Sequence, residues 1–149
     1  LGCSYVILGH SERKKLGETT EMTAKKTQAA LLAGLIPVVC IGEHIEEEME
    51  NILKDIPPKQ VSNIVFVYEP EWAISTQSDA RPATPKEVQA ALQSMRALLP
   101  KTSTLLYGGS VKAQDIKEFM EAGAQGVLVG AASLDAQEFI QLAKNSISR

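Results

Sequence analysis

Apolar residues fall along this chain in two patterns: short unbroken runs, and longer stretches with helical spacing. The runs are Cys3 to His10 (CSYVILGH), Ile36 to Glu43 (IPVVCIGE), Ile64 to Tyr68 (IVFVY), Ser103 to Gly109 (STLLYGG) and Gln125 to Ala131 (QGVLVGA). β-Branched and aromatic residues dominate them without polar alternation, which predicts strands buried on both faces, as in a parallel sheet. Between the runs, a helix is expected from about Thr20 to Ala33, with Gly34 free to end it in the left-handed conformation. Ile45, Met49, Ile52 and Leu53 recur at i, i+4, i+7 and i+8 and predict a short, acidic amphipathic helix that stops at Pro57 and Pro58. Thr84-Pro85-Lys86-Glu87 matches a capping box with proline at the first helical position, and Val88, Ala91, Leu92, Met95 and Leu99 form the stripe of the helix it opens. Ala113, Ile116, Phe119 and Met120 define a further helix closed by Gly123, and Asp135 with Glu138 can cap a last one carrying Phe139, Ile140, Ala143 and Ile147.

Strands alternating with helices mark βα units around a parallel sheet, an α/β class. Right-handed crossovers put every helix on one side if the sheet closes into a barrel. An open doubly wound sheet is the alternative, but no GxGxxG follows any strand, and a dinucleotide fold would lead with one.

The 149 residues, 44% hydrophobic and 22% charged, suit one domain with one core over residues 1–149. A net charge of -3 offers no basic field, so nucleic acid and anionic membrane are not expected partners. No apolar run approaches the roughly 18 residues of a membrane span, and no signal-peptide pattern opens the chain. Cys3 and Cys40 lie in apolar runs, where a thiol acts as a small core residue, and a reducing, cytoplasmic location fits them. The chain opens on Leu1 and runs almost at once into a strand, so it reads as a piece of a longer protein.

The residues able to do chemistry share one location. His10, Glu43, Glu69, Gly108-Gly109-Ser110 and Gly130 each follow the carboxyl end of an expected strand, and in a parallel sheet those ends converge. Glu69 is either a charge paired for structure or a general base set by its pocket. His10 is a structural group when alone, and a catalytic candidate when paired with Glu69 across a pocket. Gly108-Gly109-Ser110 and Gly130-Ala131 are plain turns or, taken together, amide-rich cradles for a phosphate. Glu43 reads as structural, His44 as solvated, and the run Glu46 to Glu48 as a solvated helix face.

Five stretches, GHSER (Gly9 to Arg13), PVVCIGE (Pro37 to Glu43), YEPEWAIST (Tyr68 to Thr76), YGGSV (Tyr107 to Val111) and VGAASL (Val129 to Leu134), resemble the triosephosphate isomerase family in family order. The resemblance implies an eight-stranded (β/α) TIM barrel, represented here by strands 4 to 8 and their helices. It implies an enzyme of glycolysis and gluconeogenesis that interconverts dihydroxyacetone phosphate and glyceraldehyde 3-phosphate through an enediolate, with no cofactor or metal, and a homodimer when full length. By that resemblance Glu69 is the base, His10 the electrophile, and Ser75, Ser110, Gly130 and Ala131 hold the substrate phosphate. Pro70 to Gln77 resembles a lid that closes over substrate.

The chain departs from the family in several places. Ser75 and Gln77 replace lid glycines, Ala131 replaces a glycine of the second cradle, and SDARP (Ser78 to Pro82) reads as an added lid flank. The three leading units, with the family's substrate asparagine and lysine, are absent, and Lys14, Lys15 and Lys112 are expected to point to solvent instead of replacing that lysine. Five of eight units would come to roughly 156 of the 250 residues usual for such a barrel, so the length suits this reading. A catalytically inactive half-barrel that pairs through its open sheet edges is the competing one.

Overall fold

A computed structural model describes residues 2–74 and 80–147 of the chain. The helices are α1 (Ser11–Lys15), α2 (Thr20–Leu32), α3 (Ile45–Leu53), α4 (Pro58–Val61), α5 (Pro85–Leu98), α6 (Ile116–Glu121) and α7 (Ala136–Ile147). The strands β1 (Tyr5–Leu8), β2 (Ile36–Ile41), β3 (Val65–Tyr68) and β4 (Thr104–Tyr107) pair in chain order and in parallel. Leu8 stands opposite Val39, Ile41 opposite Tyr68, and Tyr68 opposite Tyr107, so the carboxyl ends of β2, β3 and β4 finish level.

Period-2 alternation divides the sheet into two faces. Val39, Ile41, Phe66, Tyr68, Leu105 and Tyr107 point into the main core, which α3, α5 and α6 fill with Met49, Ile52, Met95, Ile116 and Phe119. Val38, Cys40 and Val67 form a smaller cluster on the other face with Val65, Leu106 and Leu128 packed beside them. The helices thus cover one face only, as a barrel wall requires, but the sheet is open. On its β1 edge Tyr5 is 60% and Ile7 51% exposed.

The helix signals hold in detail. Thr84 and Glu87 form the reciprocal capping box of α5, Asp135 Oδ1 accepts from the amides of Gln137 and Glu138, and Gly34 (φ 74°) and Gly123 (φ 105°) follow α2 and α6 in the left-handed region.

Other expectations need correction. The run Gln125 to Ala131 is not a strand: one bridge, Tyr107 to Val127, joins it to β4. The run pairs on one side only, and glycines at 126 and 130 give it little to pack. Pro58 does not end α3, which stops at Leu53, but opens α4, because proline suits the first helical turn. Glu48 is buried, not part of a solvated face. Cys3 lies outside β1 and is exposed, while Cys40 is buried as expected.

Gly109 serves packing. A Cβ there would clash with the Tyr107 hydroxyl oxygen, and Tyr107 is fully buried with its ring 4.6 Å from that of Phe119. Gly109→Ala is therefore expected to destabilise the fold by about 1–3 kcal/mol through overpacking. At Gly130 a Cβ would meet nothing within 4 Å, so Gly130→Ala is the control. Urea denaturation checks this, and equal midpoints for the two variants would contradict it.

Candidate functional site

Glu69 is delivered by the sheet. Its amide donates to Ile41 O at 2.7 Å, continuing the β2–β3 ladder one residue past Tyr68, and Pro70 (φ -68°) then turns the chain into a 3-10 turn, Glu71–Ala73. The carboxylate is only 3% exposed.

His10 reaches it from β1. Gly9 takes φ 66°, and a Cβ there would lie 2.9 Å from Thr23 Cγ2 and 3.1 Å from Cys40 O, so glycine is needed for both conformation and space. This sharp exit makes His10 the N-cap of α1, with Nδ1 accepting from the Glu12 amide at 3.3 Å. A nitrogen that accepts carries no proton, so the proton sits on Nε2, which lies 2.9 Å from Glu69 Oε1 and donates to it. The pair is an imidazole N–H hydrogen-bonded to a carboxylate. The Ser11 amide donates to the other oxygen, Oε2, at 3.0 Å.

Burial, the largest influence, pushes the Glu69 carboxyl above the usual carboxylate range, against the lowering effects of His10, the Ser11 amide, the Cys40 thiol and Lys14. Burial and then the Glu69 charge push the Cys40 thiol up, so it stays protonated as a donor to that carboxylate. The site therefore holds a desolvated base whose lone pairs meet several donors.

Lys14 corrects the sequence reading. It does not point to solvent: its Nζ lies 2.7 Å from Glu48 Oε2, and Glu48 Oε1 accepts from the Gly42 amide at 3.0 Å. The apolar flanks of α3 draw Glu48 inward, and a buried carboxylate needs a counter-charge. Lys15 is exposed, and Lys112 is exposed at the rim of the Glu69 cavity.

That cavity, about 360 Å³, is lined by His10, Glu69, Gly108, Gly109, Ser110, Gly130 and Ala131, so turns after β1, β3 and β4 and after the Val127 bridge open into one space. Ser75 and Gln77 lie outside the described residues. Glu43 and His44 are exposed and line a separate, acidic hollow with Glu18, Glu47 and Glu71.

Ser110 is engaged: its amide and its hydroxyl each donate to Ala73 O at 2.8 Å, tying the β4 turn to the segment after Glu69. An anion would have to draw these donors away from Ala73. Ala131 opens a 3-10 turn, Ala131–Leu134, with Gly130 at its N-cap. Among the described residues no cluster of three or more histidine, cysteine or acidic side chains is placed to hold a metal ion.

Sequence reasoning passed over Cys40 and the Lys14–Glu48 pair. Cys40 was open to detection, since it shares strand parity with Val38 and so faces away from the helices toward Val67. Lys14 gave no local signal, because its partner is 34 residues away.

A family model described as triosephosphate isomerase matches residues 1–146. The chain is 40% identical to the triosephosphate isomerase of Endomicrobium trichonymphae over 97% of this chain and 65% of that protein. It is 38% identical to that of Chloroflexus aurantiacus (95% and 64%) and 41% identical to that of Symbiobacterium thermophilum (93% and 61%). The chain thus spans 61 to 65% of the length of these relatives.

Proposed function

Because the chain belongs to the triosephosphate isomerase family, we propose that the complete protein interconverts dihydroxyacetone phosphate and glyceraldehyde 3-phosphate, with Glu69 as base and His10 as electrophile. Glu69 removes a proton from the carbon beside the substrate carbonyl, and the electron pair moves onto the carbonyl oxygen to give an enediolate. His10 Nε2–H donates to that oxygen as its charge grows. The protonated Glu69 then returns the proton to the neighbouring carbon, and the hydroxyl proton shifts between the two oxygens, so the reaction balances with no oxidant or cofactor. Ser75, Ser110, Gly130 and Ala131 hold the phosphate, and the enzyme works in glycolysis and gluconeogenesis as a cytoplasmic homodimer.

One observation carries this reading: the buried contact of 2.9 Å between Glu69 and an imidazole whose other nitrogen accepts an amide. A bare phosphate site needs neither group. Burial without a cation in contact raises the basicity of Glu69, and a neutral imidazole donates to an oxyanion without first transferring its proton.

Two results test the assignment. His10→Gln in the complete barrel should lower kcat far more than it weakens binding of inorganic phosphate, because its hydrogen bond strengthens only as the oxyanion forms. An equal loss in both would make His10 a binding group. The acid limb of the kcat/KM profile should fall above the ordinary range of a glutamate: the base works only when ionised, burial disfavours the ionised form, and activity is therefore lost on acidification before an exposed carboxylate would protonate. A limb at or below the ordinary value would show that Glu69 is not the titrating group. An inactive half-barrel, paired through the exposed β1 edge, is the second reading.

A further inference from the structure

We infer that Arg81 is a positioning residue for the proposed isomerisation, a staple that holds together the two stems bordering the mouth of the Glu69 cavity. The first stem leaves β3 through Glu69 and Pro70 to Trp72 and Ile74, and the second returns through Arg81 and Pro82 to the Thr84 cap of α5. Ile74 and Pro82 both line the cavity with His10 and Glu69.

Arg81 joins the stems through three kinds of contact. Its amide donates to Trp72 O at 3.0 Å. Its guanidinium carbon lies 4.2 Å from the centroid of the Trp72 ring, within cation–π range. Its fork grips Glu87, with Nη2 to Oε1 at 2.6 Å and Nη1 to Oε2 at 3.0 Å. Glu87 is no loose surface partner: the same carboxylate accepts from the Thr84 amide and hydroxyl, both at 2.8 Å, in the capping box of α5. A rim ion pair alone would contribute little. Here it forms the middle of a chain that runs from the Trp72 ring to the start of a long, well-packed helix, and it therefore fixes a position.

The other side of the first stem is held by Ser110, through Ala73 O. Ser110 and Arg81 thus grip adjacent residues, Ala73 and Trp72, from the turn after β4 and the segment before α5. With both in place, the Ile74 wall beside Glu69 has a defined distance from the Pro82 wall. Lysine cannot replace Arg81, since it has neither a plane to lay on indole nor a two-pronged donor.

The kinetic part of this inference rests on the isomerase reading, so the experiment has a readout that does not. Trp72 is the one tryptophan of the 149 residues. In the complete barrel, with any upstream tryptophan changed to phenylalanine, Arg81→Met should shift Trp72 emission to the red and raise its quenching by acrylamide. Arg81→Lys should follow it, and the exposed neighbour substitution Lys86→Met should change neither. The same Arg81 variants should lose about tenfold in kcat, the scale expected when a wall of the site shifts by less than an ångström, with inorganic phosphate binding unchanged. Circular dichroism identifies any variant that fails to fold, in which case Arg81→Lys decides. Unchanged quenching in folded variants overturns the staple, and changed quenching with wild-type kcat overturns its positioning role. A parent barrel without isomerase activity overturns the isomerase reading, while the quenching series still decides the staple.

Discussion

Replacing Glu69 by glutamine in the complete barrel should lower the kcat of triose phosphate isomerisation by roughly 10²- to 10⁴-fold, the usual worth of a positioned general base. The structure shows why no neighbour can take over. The groups that meet the carboxylate, His10 Nε2–H, the Ser11 amide and the Cys40 thiol, are all donors, and the Cys40 thiolate is disfavoured by burial. The same geometry gives the substitution a structural cost. An amide has one acceptor where Glu69 meets two strong donors, so its NH₂ must face either His10 or Ser11. Glu69→Asp separates the two effects, because it keeps an all-acceptor group and only withdraws it by one methylene. Glu69→Asp should keep the parent's melting temperature more closely than Glu69→Gln while still losing most of kcat. Wild-type turnover in a folded Glu69→Gln barrel would remove Glu69 from the mechanism.

The second large effect concerns residues 1–149 on their own, which are expected to show no isomerase activity. Glu69 and His10 already stand 2.9 Å apart, so the reason lies around them. The proposed substrate is a phosphate dianion, and its isomerisation would develop a further negative centre that preorganised positive charge should meet. Lys14, whose charge acts on the Glu69 carboxyl, is bound to Glu48, and Lys112 is exposed at the cavity rim. The sheet is also open: Tyr5 and Ile7 stand exposed at β1, a free edge that invites pairing with another chain. A coupled isomerase assay on the purified 149-residue chain, with Glu69→Gln as the blank for host enzyme, is the check. Activity above that blank would show that the backbone amides and His10 suffice. Sedimentation of the same sample should show self-association, and a soluble monomer would contradict that expectation.

The sequence exposed most of this fold because its local signals agree with one another. Unbroken β-branched runs, a complete capping box at Thr84 and Glu87, and glycines at positions 34 and 123 each had one low-energy interpretation, and the structure adopts it. The run at 125–131 misled because a strand is a property of pairs: Val127 has a partner in Tyr107, and beyond that bridge the backbone pairing described is the Gln125 amide donating to Leu105 O. Glu48 and Lys14 misled because composition alone favours solvent for both, and only the fold brings them together. At the site, the convergence of strand ends put His10, Glu69, Ser110, Gly130 and Ala131 into one cavity, since parallel register fixes where each turn begins. What periodicity could not disclose was the direction of hydrogen bonds. The protonated nitrogen of His10, and the commitment of both Ser110 donors to Ala73, depend on distances that no spacing rule contains.

The proposed role of Glu69 requires that it move a carbon-bound proton. Dihydroxyacetone phosphate incubated with the complete barrel in D₂O, and followed by proton NMR, reads that step directly. Deuterium should enter at the carbon beside the carbonyl in the parent protein, because the proton held by Glu69 can exchange with solvent before it returns, and it should not enter above the uncatalysed rate with Glu69→Gln. Incorporation at the parental rate in the glutamine variant would contradict the assignment of Glu69 as the base.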